Sequence, residues 1–166
     1  MELSHRQDEF RDISTGTKAE IRKFLQVPDN YKILLQQGGA TMQYTAIVKN
    51  LIGLKPNRKC NMLITGLWSM QGYDEISKFC NVNVVANNHT DNDCTRMVDP
   101  SEWKVDKDAS FFYMCSNETV NGFEQDESKF PWHLIPDDMP VIGDMSSNVG
   151  TKPIRWDKYA MIFMGA

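Results

Sequence analysis

Short apolar runs alternate with helix-like or polar segments along most of this 166-residue chain. Each run stops at a glycine or a polar residue, as a strand does when the chain leaves a sheet. The runs lie at residues 31–35, 60–65, 82–86, 110–115, 140–143 and 160–164. This alternation predicts an α/β protein with a largely parallel sheet, because parallel strands need a crossover between them.

Helical periodicity fills several of the intervals between the runs. Apolar residues recur at near-helical spacing over residues 1–27, although the Ser-Thr-Gly-Thr stretch at 14–17 favours an interruption there. Further helical patterns lie from the glycine pair at 38–39 to about residue 52, and from residue 67 to residues 76–79. Residues 156–159 are expected to form one helical turn.

The composition narrows the class of partner. Lysine and arginine total 18 against 22 acidic residues, and the net charge of −4 argues against nucleic acid or an anionic membrane. No apolar run could span a bilayer, and the first residues lack a signal peptide's apolar core, so we expect a cytoplasmic, single-domain protein.

Cys60, Cys80, Cys94 and Cys115 have no CxxC or zinc-type spacing. We therefore expect reduced thiols used in core packing and no metal site.

Gly38 and Gly39 stand between the first apolar run and the helical pattern after it. Glycines let the backbone turn sharply and approach a ligand, and the first amides of a helix attract anions. Thr41 could add a hydroxyl donor at the same place. A phosphate-binding turn is one interpretation, and a plain connection between strand and helix is the other, because no complete nucleotide-binding glycine motif is present.

Ligand-type residues follow four of the predicted strands, at residues 38–41, 66–68, 117–119 and 144–147. The carboxyl ends of parallel strands meet at one edge of a sheet, so these residues are expected to line one crevice. Asp144 could face this crevice or cap a turn. Trp68 could stack on a ring or pack in the core. Asn117 and Thr119 could bind a ligand or close their own turn. Together they suit a flat heteroaromatic cofactor with a phosphate arm and a protonatable ring nitrogen.

The order of these motifs resembles that of the phosphoserine aminotransferases, which are class-V, fold-type-I pyridoxal-phosphate (PLP) enzymes. The matching stretches are Ser-His-Arg at 4–6, Gln-Gly-Gly-Ala-Thr-Met-Gln at 37–43, Thr-Gly-Leu-Trp at 65–68, Cys-Ser-Asn-Glu-Thr at 115–119, Asp-Met-Ser-Ser at 144–147, and 152–166. The resemblance implies a three-layer αβα large domain with a mainly parallel sheet, incomplete at both ends. Residues 1–166 would be its central part, without the small C-terminal domain.

The resemblance also implies a role for each matching residue. Ala40 and Thr41 would hold the PLP phosphate, Trp68 would stack on the pyridine ring, and Thr119 would hydrogen-bond the ring hydroxyl. Asp144 would pair with the protonated ring nitrogen.

The resemblance assigns the phosphate of the substrate to His5 and Arg6, since a guanidinium fork suits a phosphate. Without the resemblance, we would interpret both residues as solvated charges at the start of a helix. The implied reaction converts 3-phosphohydroxypyruvate and glutamate to phosphoserine and 2-oxoglutarate in L-serine biosynthesis, in a homodimer.

Three departures from the family pattern stand out. The Schiff-base lysine would lie beyond Ala166, and neither Lys152 nor Lys158 is at its position, so the chain is expected not to transaminate by itself. Gly143 replaces a bulkier residue, and Met42 replaces a residue that is often small. A lysine-free PLP-binding or dimerisation module is an alternative, as is another class-V aminotransferase or desulfurase, although 5–6 and 117–119 speak against the latter.

Overall fold

Five parallel strands form the sheet at the centre of the computed structural model, which describes residues 3–88 and 96–165. Their order across the sheet is β2-β1-β3-β6-β7. The bounds are β1 Lys59–Ile64, β2 Asn81–Asn87, β3 Phe112–Cys115, β6 Val141–Asp144 and β7 Met161–Phe163. All four neighbouring pairs run parallel, so the predicted α/β fold with a mainly parallel sheet is confirmed.

The two faces of the sheet bury separate apolar clusters. Helices α2 (Gly39–Leu51) and α3 (Leu67–Ile76) cover one face and pack Tyr44 and Ile47 against Met62 and Tyr113. On the other face, aromatic side chains from the loops and from the 3-10 turns Pro100–Glu102 and Trp132–Leu134 pack on the strands. A further 3-10 turn, Ile52–Leu54, follows α2 and buries Ile52 in the first cluster. Burial of apolar residues on both faces explains why the sequences of β3 and β7 are continuously apolar instead of alternating.

Helix α1 (Asp8–Phe24) runs without a break through residues 14–17, so the expected interruption is wrong. The hydroxyl of Thr17 donates to the Ile13 carbonyl at 2.8 Å, which satisfies it within the helix. No residue of α1 is buried. Arg22 ties the end of α1 to the next segment by donating to the carbonyls of Val27 (2.9 Å) and Tyr31 (2.8 Å).

The first apolar run, 31–35, does not form the predicted strand. Leu34 and Leu35 are 69% and 55% exposed, and no strand of the described chain pairs with them. Instead, Tyr31 anchors the segment by donating from its hydroxyl to the Trp156 carbonyl at 2.8 Å. An apolar run with β-forming residues becomes a strand only where a partner strand is available.

Two smaller differences concern connections. Residues 156–158 form a turn and not a helical turn. Strands β4 (Asn117–Glu118) and β5 (Phe123–Glu124) make an antiparallel hairpin that the sequence pattern did not indicate. Among the described residues, no helix is long and apolar enough to cross a membrane. Cys94 and Ala166 lie outside the described part of the chain.

Candidate functional site

A cavity of about 270 Å³ opens at the carboxyl ends of the sheet strands. Its wall comes from α2, α3, the β3–β4 turn, β6 and the segment after β7, so it is the crevice that the sequence predicts. The residues that line it are Ala40, Tyr44, Trp68, Cys115, Asn117, Thr119, Asp144, Ser146, Ser147 and Gly165. A larger cavity of about 720 Å³ lies between residues 96–102 and 123–131, and none of the predicted site residues lines it.

The amino end of α2 forms one wall of the cavity. Gly38 and Gly39 have φ values of 98° and 57°, which only glycine adopts easily, and they turn the chain into the helix. Among the described residues, the backbone N–H groups of Gly39, Ala40 and Thr41 have no acceptor. These three donors stand at the positive end of a 13-residue helix, so this wall suits an anion.

Gly165 brings the segment after β7 against this helix end. Its N–H donates to the Ser146 hydroxyl at 2.9 Å. A Cβ at residue 165 would lie only 3.1 Å from the Ala40 nitrogen, so a side chain there would crowd the free amides. Met42, which departs from the family pattern, covers Gly38, where a Cβ would overlap its Cγ at 2.1 Å.

Trp68 forms a second wall, and its position depends on a buried carboxylate. Gly66 has no side chain to cap α3, so Glu118 takes that role: its oxygens accept from the N–H groups of Trp68 (2.8 Å) and Ser69 (2.9 Å). Glu118 is fully buried. The Trp68 indole N–H donates to the Thr119 hydroxyl oxygen at 2.8 Å. The hairpin thus fixes both the start of α3 and the orientation of the indole ring.

Asp144, at the end of β6, also lines the cavity. Its Oδ1 accepts from the N–H (3.0 Å) and the hydroxyl (2.6 Å) of Ser146, which orients the carboxylate. Its Oδ2 has two longer contacts, both of 3.4 Å, to the hydroxyls of Tyr44 and Tyr113. Burial, followed by the nearby Asp144 charge, raises the pKa of both phenols, so they stay protonated and serve as donors.

The structure brings together four of the predicted site residues: Ala40, Trp68, Thr119 and Asp144. Thr41 is exposed at the start of α2 and does not line the cavity. His5 and Arg6 are also exposed, in the segment before α1, and do not line it either.

Tyr44, Cys115 and Gly165 line the cavity without having been predicted to do so. Glu118 and Ser146 fall within the predicted stretches 117–119 and 144–147, but neither had a predicted role of its own. The position of Tyr44 in the site could have been predicted, because Tyr44 stands four positions after Ala40 and therefore on the same face of the helix. No spacing in the sequence indicates the role of Glu118, because the amides that donate to its carboxylate belong to another segment of the chain.

Lys152 and Lys158, neither of which is at the position expected for the Schiff-base lysine, contact other groups. The ammonium of Lys152 pairs with Glu124 at 2.8 Å, and that of Lys158 lies 6.0 Å from the centre of the Trp132 ring. Within residues 3–88 and 96–165, no lysine lines the cavity.

A parallel α/β domain with ligand-type side chains at its carboxyl edge defines a class of small-molecule binding proteins. Within that class, the family model "Aminotransferase class-V" matches residues 1–166, and the chain belongs to this family.

Its relatives include phosphoserine aminotransferases. The one from Herminiimonas arsenicoxydans is 39% identical and the one from Janthinobacterium sp. (strain Marseille) 40% identical, each covering all of this chain and 44% of the relative. The crystal structure of PLP-bound phosphoserine aminotransferase from Trichomonas vaginalis superposes with a TM-score of 0.84 at 36% identity, over 98% of this chain and 44% of that one. The chain therefore spans less than half the length of the relatives it matches.

Proposed function

We propose that residues 1–166 are the central part of the PLP-binding large domain of a phosphoserine aminotransferase. The whole protein would convert 3-phosphohydroxypyruvate and glutamate to phosphoserine and 2-oxoglutarate, for L-serine biosynthesis in the cytoplasm. The observation that carries the proposal is the cavity that has free helix amides on one wall and the buried Asp144 on the other. Similarity to phosphoserine aminotransferases over the whole chain supports the choice of reaction.

The residues of the cavity, with Thr41 next to them at the start of α2, fit the chemical groups of PLP. The amides of Ala40 and Thr41, with the Thr41 hydroxyl, would hold the phosphate at the helix end. The Trp68 ring would lie against the pyridine. Because the Thr119 oxygen already accepts from Trp68, its own proton is available for the ring hydroxyl.

Asp144 would hold a proton on the pyridine nitrogen. The carboxylate is oriented through Oδ1 by Ser146, which leaves Oδ2 as the acceptor for the ring N–H. The bound cofactor supplies an electron sink for the substrate carbon, and a carboxylate beside the ring nitrogen maintains it. Tyr44 and Tyr113 would support the negative charge on Oδ2.

The roles proposed for His5 and Arg6, for the Schiff-base lysine and for the dimer follow from the resemblance to phosphoserine aminotransferases. His5 and Arg6 are accessible for a substrate phosphate, and they would bind it as a charge-assisted pair of donors. The Schiff-base lysine would be supplied from beyond residue 166, close to where Gly165 enters the cavity. The full-length protein would act as a homodimer.

The experiment uses the full-length protein with phosphoserine and 2-oxoglutarate as substrates of the reverse reaction. We expect Asp144→Asn to reduce kcat at least 100-fold, because the amide cannot hold the ring proton as a carboxylate does. Asp138→Asn is the matched control, since Asp138 is exposed, pairs with Lys55 at 3.0 Å and precedes the amino end of β6, whereas the cavity opens at the carboxyl ends of the strands. Equal activities of the two variants, or no activity of the parent protein on phosphoserine, would contradict the proposal.

A second function is open to the 166-residue chain by itself, because the cavity residues that fit PLP all lie within it. The 166-residue chain alone would then be a PLP-binding module that does not transaminate. Added PLP should raise its melting temperature, because a ligand that binds only the folded state stabilises it. A melting temperature that does not change with PLP concentration would exclude this module.

A further inference from the structure

Two cysteines that lie 20 positions apart in the sequence meet at the amino ends of β1 and β2. The sulfur atoms of Cys60 and Cys80 are 3.7 Å apart. Cys60 is the second residue of β1, and Cys80 directly precedes β2, which is the edge strand beside it. The parallel pairing of these strands, with Lys59 opposite Asn81, therefore holds the two thiols together.

The two thiols differ in accessibility and in acidity. Cys60 is fully buried in the apolar cluster under α2 and α3, whereas Cys80 is half-buried. The hydrogen bond from Cys60 and then the positive charge of Arg58 lower the pKa of Cys80, and the same hydrogen bond together with burial raises the pKa of Cys60. Cys80 is thus the more acidic and the more accessible of the two thiols, and acidity and access are the two conditions for a reactive cysteine.

We propose that Cys60 and Cys80 form an oxidation site, in which a peroxide attacks Cys80 and Cys60 closes a reversible intrachain disulfide. A disulfide needs the sulfurs about 2 Å apart, so they must approach by less than 2 Å. Nothing else in the described chain has to move between them, because each sulfur already contacts the other.

The chemistry balances with hydrogen peroxide as the oxidant. The Cys80 thiolate attacks the peroxide, the O–O bond breaks, an S–O bond forms, and water leaves after one proton is taken up. The Cys60 sulfur then attacks the sulfenic sulfur, the S–O bond breaks, and the hydroxyl leaves as water with the Cys60 proton. Two thiols and one peroxide give one disulfide and two waters.

This oxidation site and the cavity lie at opposite ends of the strands. Both cysteines stand at the amino ends of their strands, whereas the cavity opens at the carboxyl ends. Cys115 lines the cavity, and burial, with the nearby Glu118, raises the pKa of its thiol. Cys115 therefore serves as an internal comparison: it is a buried thiol that should resist the same oxidant.

The test treats the full-length protein with a small molar excess of hydrogen peroxide, blocks free thiols with N-ethylmaleimide and maps the peptides by mass spectrometry. We expect a peptide pair joined through Cys60 and Cys80 in most molecules, with Cys115 remaining free, and the pair should disappear after dithiothreitol. Cys80→Ser should abolish the cross-link and leave Cys60 unoxidised. Cys94→Ser is the matched control and should leave the cross-link unchanged.

Each alternative result decides against the proposal. Oxidation of Cys80 to sulfinic acid with Cys60 still free would show that Cys60 does not reach it. A cross-link to Cys94 or between two chains, or one that forms only in urea, would show that the folded pair is not the reactive unit. Circular dichroism of Cys80→Ser establishes that the loss of the cross-link is not a loss of folding.

Discussion

At the scale of single residues, the packing around position 143 explains why a glycine fits there. A Cβ at this position would lie 2.8 Å from Cε1 of Tyr159, whose ring is buried against the strand. The Tyr159 hydroxyl donates to Glu127 at 2.8 Å, so the ring is held at both ends. The tyrosine occupies the space that a bulkier residue at 143 would need, and this explains why glycine stands there.

We therefore expect Gly143→Ala to lower the free energy of unfolding by about 1–3 kcal/mol, the usual cost of overpacking a core. Gly53→Ala is the control, because a Cβ at Gly53 would meet no heavy atom within 4 Å among the described residues. It should be neutral, or stabilising by up to about 1 kcal/mol. Urea unfolding of both variants checks this, and equal midpoints would show that Tyr159 moves aside freely.

At the scale of elements, the start of α3 depends on the β4–β5 hairpin. Glu118 from this hairpin accepts from the Trp68 and Ser69 amides, and Asn121 accepts from Leu67 at 2.9 Å. A Cβ at Gly66 would lie 2.5 Å from the Asn121 oxygen, so glycine is required for the hairpin to approach. A buried carboxylate is tolerated here because these donors and the helix end offset its loss of hydration.

Glu118→Gln should lower the free energy of unfolding by about 1.5–3 kcal/mol, because an amide group replaces one acceptor oxygen with a donor that faces N–H groups. Glu124→Gln, which changes a 44% exposed carboxylate paired with Lys152, should cost less than about 1 kcal/mol. Hydrogen exchange at Trp68 and Ser69 should accelerate only in Glu118→Gln. Unchanged exchange at these two amides would contradict the role of Glu118 as the cap of α3.

The elements also show how much of the fold can be predicted from the sequence alone. Periodicity located the five strands of the sheet and helices α2 and α3, because buried strands and amphipathic helices have strong local patterns. It failed for residues 31–35, whose conformation is decided by the Tyr31 anchor and the lack of a partner strand among the described residues. It could not reveal β4 and β5, since two-residue strands are too short for any period.

The candidate site was predictable to a similar extent. Trp68, Thr119 and Asp144 follow or end strands, and the rule for parallel sheets brings such residues together. Ala40 joins them from the start of α2, although the run before it is not a strand. Their roles toward a cofactor stay predictions. The tyrosines beside Asp144 and the contact of Gly165 with Ser146 depend on packing across the sheet, which no local spacing encodes.

At the scale of the whole molecule, buried phenols couple stability to alkaline pH. The pKa values of Tyr44, Tyr113 and Tyr159 are raised, in each case first by burial and then by a carboxylate, Asp144 for the first two and Glu127 for the third. The folded state therefore holds protons that the unfolded state releases near the ordinary value of 10.0. Their contribution is fully present below that pH and is lost as the pH rises above it.

We expect the free energy of unfolding to fall above about pH 10 by up to about 4 kcal/mol per pH unit, or roughly 1.4 for each phenol. Tyrosinate absorbance from these residues should appear together with the loss of circular dichroism. Tyr44→Phe should make the dependence on pH less steep by about a third. If all five tyrosines of the chain ionise near pH 10 while the circular dichroism is unchanged, the phenols are not buried as described.

The contact of Gly165 with Ser146 and Ala40 has a consequence for how the protein folds. Ala40 and Gly165 are about 125 positions apart in the sequence, and Gly165 follows the last strand of the sheet along the chain. Contacts between distant parts of a chain form slowly, because the entropy of closing the intervening loop must first be overcome. The cavity is therefore among the last features to form during folding, and binding of a ligand to it reports a completed fold instead of early collapse.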